Sequence, residues 1–407
     1  MPEVGEKLEL IIEDLAYRGS GIARHDGLVT FIKRVAPGER VEAEITKLRK
    51  NFAEATLLRV IEPSPQRITP CAQMADGNTV PGCVYDFLDY AAEVEVKHRQ
   101  MLGLLRRIPG IDTAAQAPFA SPRSLNYRNK IVLHAQRVGR DLANIGYYGE
   151  DNRTVIDLER CPLALDAINF AWAAQREEAR RKMENGQSLT FRWTAADGVK
   201  SWIDQAPEDA PMLTESSPIG ALNVPLGGFY QVNEEVAAAL VQQVREWIMQ
   251  AAAESGTKRV LDLYCGVGIF ALACAAAGAG PVVGIESVRG AVAAARLNGR
   301  ARSADATFTC ARVEDAARTG FDDTDLTQTL VIADPPRQGV EASVITTLGN
   351  GRVPHIIYAA CDAAKLARDL KRLEAFGYRL RAARVFDMFP RTMHFETAVW
   401  LSLTDPS

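Results

Sequence analysis

The residue whose type and setting most suggest chemistry is Cys361. It closes the stretch IIYAAC, which reads as a buried strand over His355–Ala360. A helix follows from about Ala363 to Glu374, with Gly377 as its stop. A thiol at the carboxyl end of a strand and the amino end of a helix sits where helix partial charge favours thiolate. In an open α/β sheet that edge is also where ligands bind. Such a thiol suits a nucleophile; the competing role is a small buried hydrophobe, as for most free cysteines. His394 and Glu396 lie in FDMFPRTMHFETAVW, at the mouth of a final hairpin. Beside Phe389 and Phe395, Glu396 can have a raised pKa and serve as a base, and a plain strand-edge charge is the alternative. Asp334 opens Asp334-Pro335-Pro336-Arg337 at the end of another strand-like run. The prolines stiffen this loop and bias Asp334 away from helix. A carboxylate there can bind the amide or imide edge of a flat substrate; the alternative is a solvent-exposed turn.

A second group of residues concerns a nucleoside cofactor. Gly266 and Gly268 form a tight turn between the apolar run Val260–Tyr264 and a helix over Ile269–Ala277. Such a turn lets a ligand approach the backbone at a helix start. Glu286, 18 residues past Gly268 and at the end of the next strand, can accept hydrogen bonds from a ribose. The spacing of Gly266, Gly268 and Ala271 also satisfies the G-x-G-x-x-A pattern of dinucleotide-binding proteins, so an NAD-dependent oxidoreductase is a competing reading.

These residues need a framework, and the carboxyl-terminal half supplies one. A helix over 235–254 precedes strands at Val260–Tyr264, Pro281–Ile285, Ala306–Cys310, Thr329–Ala333, His355–Ala360, Leu380–Phe386 and Thr397–Leu403. Strands alternating with helices predict a parallel twisted sheet. The last two strands lack an intervening helix and should pair antiparallel. At the other end, residues 1–62 show the alternation Leu8, Leu10, Ile12 and Val41, Ala43, Ile45, with turns at Gly19, Gly21, Gly27 and Pro37-Gly38. This predicts a five-stranded barrel of the oligonucleotide-binding kind. Residues 63–90 are a proline-rich connector, 91–108 an amphipathic helix, and 121–224 mixed strands with a helix near 163–182.

The totals set outer bounds. At 407 residues, two or three domains are expected, and 47% hydrophobic with 24% charged residues is ordinary globular composition. The longest nearly apolar stretch, Ala271–Ile285, is too short for a membrane span and is broken by Gly278, Gly280 and Pro281. With no basic-then-apolar leader at the start, a cytoplasmic protein is expected. Seven scattered cysteines point to thiol or metal chemistry rather than a disulfide framework. The net charge of −4 does not itself argue for nucleic acid. A local strip does: Arg123, Arg128, Lys130, Arg137 and Arg140 stand with no acid between Ser121 and Arg140, with Tyr127 among them. That composition suits phosphate neutralisation with a stacking aromatic, or else a solvated face.

Taken in order, VLDLYCGVGIF, VVGIE, IADPPRQGV, IIYAACDAAKLARDLKRLEAFGY and DMFPRTMHFETAVWL resemble the motifs of the RNA uracil-5-methyltransferases. GGFYQVNEE (Gly227–Glu235) is similar to a further segment of that family, and AYRGSGIARHDGLVTFI with APGERVEAEITKLRKNFAEA resembles the RNA-binding TRAM domain. The resemblance covers the whole chain. It implies a TRAM-like barrel at 1–62, a central α+β domain at 63–90 and 122–227, and a Rossmann-like class I methyltransferase domain at 91–121 and 228–407. It implies transfer of a methyl group from S-adenosylmethionine to C5 of a uridine in RNA. Cys361 matches the nucleophile that adds to C6, Glu396 the base that removes the C5 proton, and Asp334 a residue holding uracil or cofactor. Gln231, Tyr264, Gly266, Gly268, Ile269, Glu286 and Asp334 match cofactor-contacting positions. The TRAM resemblance favours 23S ribosomal RNA over tRNA, with neither membrane nor obligate protein partner implied.

Four departures from the family pattern are visible. Its S-C-N-P is here Ala360-Cys361-Asp362-Ala363, and a charge at Asp362 is expected to raise the thiol pKa. Ile269 replaces a common asparagine, and Arg312 a residue that is often polar or acidic. Many members carry four cysteines holding a [4Fe–4S] cluster; Cys71, Cys83 and Cys161 match three, and Val80 stands at the second. Cluster binding is left open beside a relic set of reduced thiols, because four ligands are usual. These losses also motivate a competing reading as a non-catalytic RNA-binding or folding factor.

Overall fold

The computed structural model describes residues 2–404 except 75, 76, 138, 140 and 141. The chain forms two compact units: Met1–Gln100 with Phe389–His394, and Met101–Met388 with Phe395–Ser407.

In the first unit, β1 (Lys7–Ile11), β2 (Asp14–Leu15), β3 (Gly21–His25), β4 (Leu28–Ile32), β5 (Arg40–Leu48) and β6 (Phe52–Glu62) make one sheet, ordered β1-β5-β6-β4-β3-β2. The period-two pattern does what alternation requires: Leu8, Leu10, Val41, Ala43, Ile45, Ala53 and Ala55 turn inward onto one core. The expected five strands are six, because β2 is only two residues long and too short to show a period. Gly21 permits a close approach, since a Cβ there would lie 2.2 Å from a Val35 methyl. Past an irregular connector, helix α1 (Tyr90–Leu105) continues the chain.

The second unit begins with an antiparallel sheet of β7 (Lys130–Gln136), β8 (Asn144–Tyr148), β9 (Val155–Asp157), β10 (Ser188–Thr194) and β11 (Gly198–Ile203), ordered β11-β10-β7-β8-β9. Helix α2 (Asp166–Lys182) buries Ile168 and Trp172, and the hairpin β12 (Leu213–Glu215) and β13 (Leu222–Val224) follows. The basic strip is not an open cationic surface here. Tyr127 is 1% exposed. Arg137 donates to the backbone carbonyls of Arg180, Arg181 and Met183. Arg123 pairs with Glu235 at 3.1 Å, and Lys130 is mostly buried over the Trp202 ring. A guanidinium that saturates carbonyls inside the fold has few donors left for phosphate. Arg140 lies outside the described residues.

The remainder is the α/β layer. It comprises α3 (Glu234–Ser255), β14 (Arg259–Leu263), α4 (Ile269–Ala276), β15 (Val282–Glu286), α5 (Arg289–Ala301), β16 (Ala306–Cys310), β17 (Thr329–Ala333), α6 (Ala342–Asn350), β18 (His355–Ala360), α7 (Ala363–Glu374), β19 (Tyr378–Phe386) and β20 (Glu396–Leu403). The strand order is β16-β15-β14-β17-β18-β20-β19. The first five run parallel, and β20 pairs antiparallel with both β18 and β19. Every residue of β17 and β18 is buried, as expected of central parallel strands covered on both faces. Among the described residues no helix is long and apolar enough to cross a membrane.

Candidate active site

Sheet topology brings Cys361, Asp334 and Glu396 to one edge. Cys361 and Asp334 follow the carboxyl ends of β18 and β17, which pair in parallel through Ala333 and Tyr358. Because β20 runs antiparallel to β18, with Thr397 opposite Ala360, its first residue Glu396 lies at that same end. The Asp334 N–H donates to the Leu263 carbonyl at 3.4 Å, tying its loop to β14.

Electrostatics follow from this crowding. Burial, then the negative charges of Glu396 and Asp334, push the Cys361 thiol up to about 11, against a smaller opposing effect from Arg337. Burial raises Asp334 to about 7. Glu396, almost fully buried, is raised well above the carboxylate range by burial and by the Asp334 charge. Two carboxyls so placed cannot both ionise readily. The resting site thus holds a thiol rather than the thiolate expected from the helix terminus. Asp362 has a different role from the one expected: its Oδ1 accepts the N–H groups of Ala364 and Lys365, each at 3.0 Å, capping α7. The thiol opens into a recess lined by Pro335, Pro336, Arg337, Tyr358 and Lys365.

The Asp334–Val340 loop is braced from behind. Buried Asp369 accepts from the Tyr358 hydroxyl (2.9 Å), the Val340 N–H (3.0 Å) and the Arg368 guanidinium, which also donates to the Gln338 carbonyl (2.8 Å). Gly339 has φ +80°, and a Cβ there would sit 2.4 Å from the Asp369 carboxylate, so this contact requires glycine.

The glycine turn fits a nucleoside cofactor. Gly266, at φ +54°, has open space where a Cβ would project. Gly268, at φ +88°, packs on Phe308, which a Cβ would meet at 2.9 Å. Glu286 accepts the Gly266 N–H (3.1 Å), the Val288 N–H (2.8 Å) and the Ser287 hydroxyl (3.1 Å), which leaves acceptor capacity on its carboxylate. Tyr264 sits at φ +63° and donates to Glu314, which also pairs with Arg312. Half-exposed Ile269 opens α4 with an apolar side chain.

Asp262 escaped the motif reading as a site residue. It is fully buried, its Oδ2 accepts the Ala271 N–H at 2.9 Å, and its Oδ1 has no partner among the described residues. Burial raises it well above the carboxylate range, assisted by the Asp334 and Glu286 charges. An acid in the middle of the apolar run VLDL was the available signal.

Gln231 lies in the segment leading to α3, and its side chain makes no hydrogen bond among the described residues. The backbone ahead of it is clamped. Arg192, 1% exposed, donates to the carbonyls of Pro225 (3.2 Å), Leu226 (3.1 Å) and Gly228 (2.9 Å) while pairing with buried Glu215. Phe229, next in line, is 75% exposed. His394, in the first unit, packs edge to face on Phe389.

Of the three expected metal-site cysteines, Cys71 and Cys83 lie in the first unit and Cys161 in the second. Among the described residues no three His, Cys, Asp or Glu side chains gather to hold a metal. Cys161 is buried, its sulfur taking the Tyr147 hydroxyl at 3.4 Å, while Cys71 is half-buried and Cys83 buried.

Residues 224–404 match the tRNA (uracil-5-)-methyltransferase family, and residues 2–58 match the TRAM domain. The chain is 30% identical over 407 residues to an uncharacterized RNA methyltransferase of Bdellovibrio bacteriovorus, covering 97% of this chain and 95% of that protein. The chain belongs to the RNA uracil-5-methyltransferase family. It is also 28% identical to the 23S rRNA (uracil(1939)-C(5))-methyltransferase of Shewanella woodyi, over 99% of this chain and 97% of that one. Its fold matches the crystal structure of Pyrococcus abyssi tRNA (uracil-54, C5)-methyltransferase in complex with S-adenosyl-L-homocysteine. The TM-score is 0.73 at 22% identity, covering 97% of this chain and all of that one.

Proposed function

We propose that this methyltransferase modifies C5 of a uridine in 23S ribosomal RNA through a covalent bond between Cys361 and C6, with S-adenosylmethionine as cosubstrate. The observation that carries the reading is the convergence of Cys361, Glu396 and Asp334 on one sheet edge, beside the glycine turn. The choice of ribosomal RNA rests on the TRAM match and on relatives named for 23S rRNA. We read the modules as 1–62, then 63–90 with 122–227, then 91–121 with 228–407.

Uracil C5 is a weak nucleophile. As the Cys361 sulfur bonds to C6, the C5–C6 π pair moves toward C5 and the O4 carbonyl. Covalent addition of this kind splits one hard step into easier ones. With its pKa near 11, the thiol must lose its proton as that bond forms. Asp334 and Glu396, both raised, are the bases at hand. Bound S-adenosylmethionine supplies the methyl group that C5 accepts. Glu396, its first proton passed to solvent, then takes the C5 proton; the C–H electrons restore the C5–C6 double bond and the sulfur leaves. Asp334 can offer an acceptor to N3–H when ionised or a donor to a carbonyl when protonated. Gly266, Gly268, Glu286, Tyr264 and Gln231 would hold the cosubstrate, and exposed Phe229 offers a stacking face for a base drawn from its stack.

The test is transfer of labelled methyl from S-adenosylmethionine to unmodified 23S RNA and to bulk tRNA. Label is expected in 23S RNA and absent with Cys361→Ala, and Glu396→Gln should accumulate a denaturation-resistant protein–RNA adduct. Label confined to tRNA overturns the substrate; no m5U in either RNA, with cosubstrate bound, overturns the activity.

A further inference from the structure

The loop that carries Asp334 also presents a cation beside the thiol. The Gly339 N–H donates to the Pro336 carbonyl at 2.9 Å, closing a tight turn with Arg337 and Gln338 at its corners. The far side of that turn is pinned to α7. Arg368 donates to the Gln338 carbonyl at 2.8 Å, and the buried Asp369 carboxylate takes the Val340 N–H at 3.0 Å. Pro335 and Pro336 fix φ on the near side. The backbone at Arg337 therefore has little freedom, although the residue itself is exposed. Lys365, in the first turn of α7, lines the same recess as Arg337, the one into which Cys361 opens. Neither cation makes a hydrogen bond or ion pair through its side chain among the described residues. Asp362, also at this recess, spends its Oδ1 on the α7 cap.

Arg337 favours thiolate at Cys361, but burial and the charges of Glu396 and Asp334 outweigh it. Activating the resting thiol is thus not what this cation achieves, and that role would leave Lys365 without a purpose. An anionic ligand accounts for both. The chemistry of a uridine nucleotide says which anion. In the anti conformation of a pyrimidine nucleotide, C6 is the ring atom that overhangs the ribose on the side of the 5′-phosphate. A sulfur that approaches C6 is therefore close to that phosphate, and cations beside the sulfur are close to it too.

We propose that Arg337 and Lys365 form a phosphate subsite that seats the 5′-phosphodiester of the target uridine beside Cys361. The proposal rests on the uridine reading above and names the contact that sets C6 over the sulfur. Arg337 can offer two parallel N–H donors to phosphate oxygens, and Lys365 adds a point charge. Because the turn holds the Arg337 backbone before RNA arrives, less ordering is left for the binding step.

The experiment compares the full chain with its double variant Arg337→Gln/Lys365→Gln. Cys361 is alkylated with anionic iodoacetate and with neutral iodoacetamide, with and without inorganic phosphate, and mass spectrometry of its peptide gives the ratio of the two rates. Both reagents need the same thiolate, so the ratio cancels any change in thiol pKa. The ratio is expected to fall several-fold in the variant, and phosphate should slow iodoacetate in the wild type alone. The second arm is methyl transfer to unmodified 23S RNA across a salt series. The variant should raise KM for RNA by roughly ten-fold, as for a lost charge-assisted contact. It should also flatten the slope of log kcat/KM against log salt by about 0.7, the value for one phosphate on a single strand. KM for S-adenosylmethionine should hold. An unchanged alkylation ratio and an unchanged KM for RNA, in a wild type that methylates RNA, overturn the subsite and leave the uridine reading standing. Phosphate that slows iodoacetate while KM for RNA is unchanged marks a site for free phosphate and overturns the assignment to RNA. A rise in KM for S-adenosylmethionine alone gives the cations to the cosubstrate carboxylate and overturns it as well. A wild type that forms no m5U in any RNA fails the uridine reading, and the target phosphate falls with it, whatever the alkylation ratio. Both positions are exposed, so unchanged circular dichroism and Tm show that folding is intact.

Discussion

Asp362 is next to Cys361 in the chain, and Glu396 reaches it only across the sheet, yet it is Glu396, with Asp334, whose charge pushes the thiol up. Adjacency in sequence suggested the reverse. The side chain of Asp362 turns onto the backbone of α7, where two N–H groups and the helix dipole hold its charge. Aspartate just ahead of an apolar helix is an N-cap signal that the sequence did contain. The Glu396 contribution was hidden because it depends on β20 lying beside β18. The two carboxylates separate in a titration of Cys361 alkylation, followed by mass spectrometry of its peptide. Negative charge nearby disfavours thiolate, so removing it must lower the midpoint from about 11. Glu396→Gln should therefore alkylate faster at a given pH below 11, whereas Asp362→Asn, which keeps a capping oxygen, should leave the midpoint in place. Asp362→Ala should instead cost about 1 kcal/mol of stability through the lost cap. A midpoint that falls as far in Asp362→Asn as in Glu396→Gln would return Asp362 to the role its position suggested.

At the scale of elements, the strands of the α/β layer were legible to within a residue or two, because a buried apolar run between turn residues has few other readings. Which strands become neighbours was not, and β20 lodges between β18 and β19. Arg192 shows the same limit. In the sequence it is one arginine within the strand FRW; in the fold its guanidinium clamps three carbonyls of the segment that ends at Phe229 and Gln231. Removing Arg192 alone strands the buried Glu215 carboxyl, a loss of about 3–5 kcal/mol by the usual cost of breaking a buried pair. Replacing both, as Arg192→Met/Glu215→Leu, removes the charges together and is expected to recover most of that stability. The carbonyls of Pro225, Leu226 and Gly228 still lose their donor. The double variant should therefore melt near the wild type while its KM for S-adenosylmethionine rises several-fold. Wild-type KM at wild-type Tm would show that the clamp supports folding alone.

At the scale of the whole molecule, the barrel module was read as the consecutive segment 1–62, and most of the first unit is consecutive. Its last six residues, Phe389–His394, come from far along the chain, and nothing local in MFPRTMH announces that. They are held by a buried ionic cluster within that unit. Lys97 donates to Glu93 at 2.8 Å and to the Phe389 carbonyl at 3.2 Å. The Arg391 N–H donates to Glu93 at 2.7 Å, and its guanidinium to the Leu88 carbonyl at 2.6 Å. The chain then passes through Phe395 to Glu396, two residues beyond the held segment. Anchoring Arg391 thus limits, through covalent connection, how far the start of β20 can wander. Glu93→Gln removes the carboxylate that Lys97 and Arg391 share. The expected loss of stability is about 3–5 kcal/mol, read by urea unfolding, because buried cations are left without their counter-charge. If the segment is only a peg for the first unit, kcat measured at a temperature where the variant stays folded will equal that of the wild type. If it also steadies Glu396, kcat falls while KM for S-adenosylmethionine holds, and the covalent protein–RNA adduct accumulates as with Glu396→Gln, because addition proceeds and proton removal lags. The second outcome is expected: proton transfer needs the base within hydrogen-bond reach, and a loosened tether two residues away relaxes that distance first.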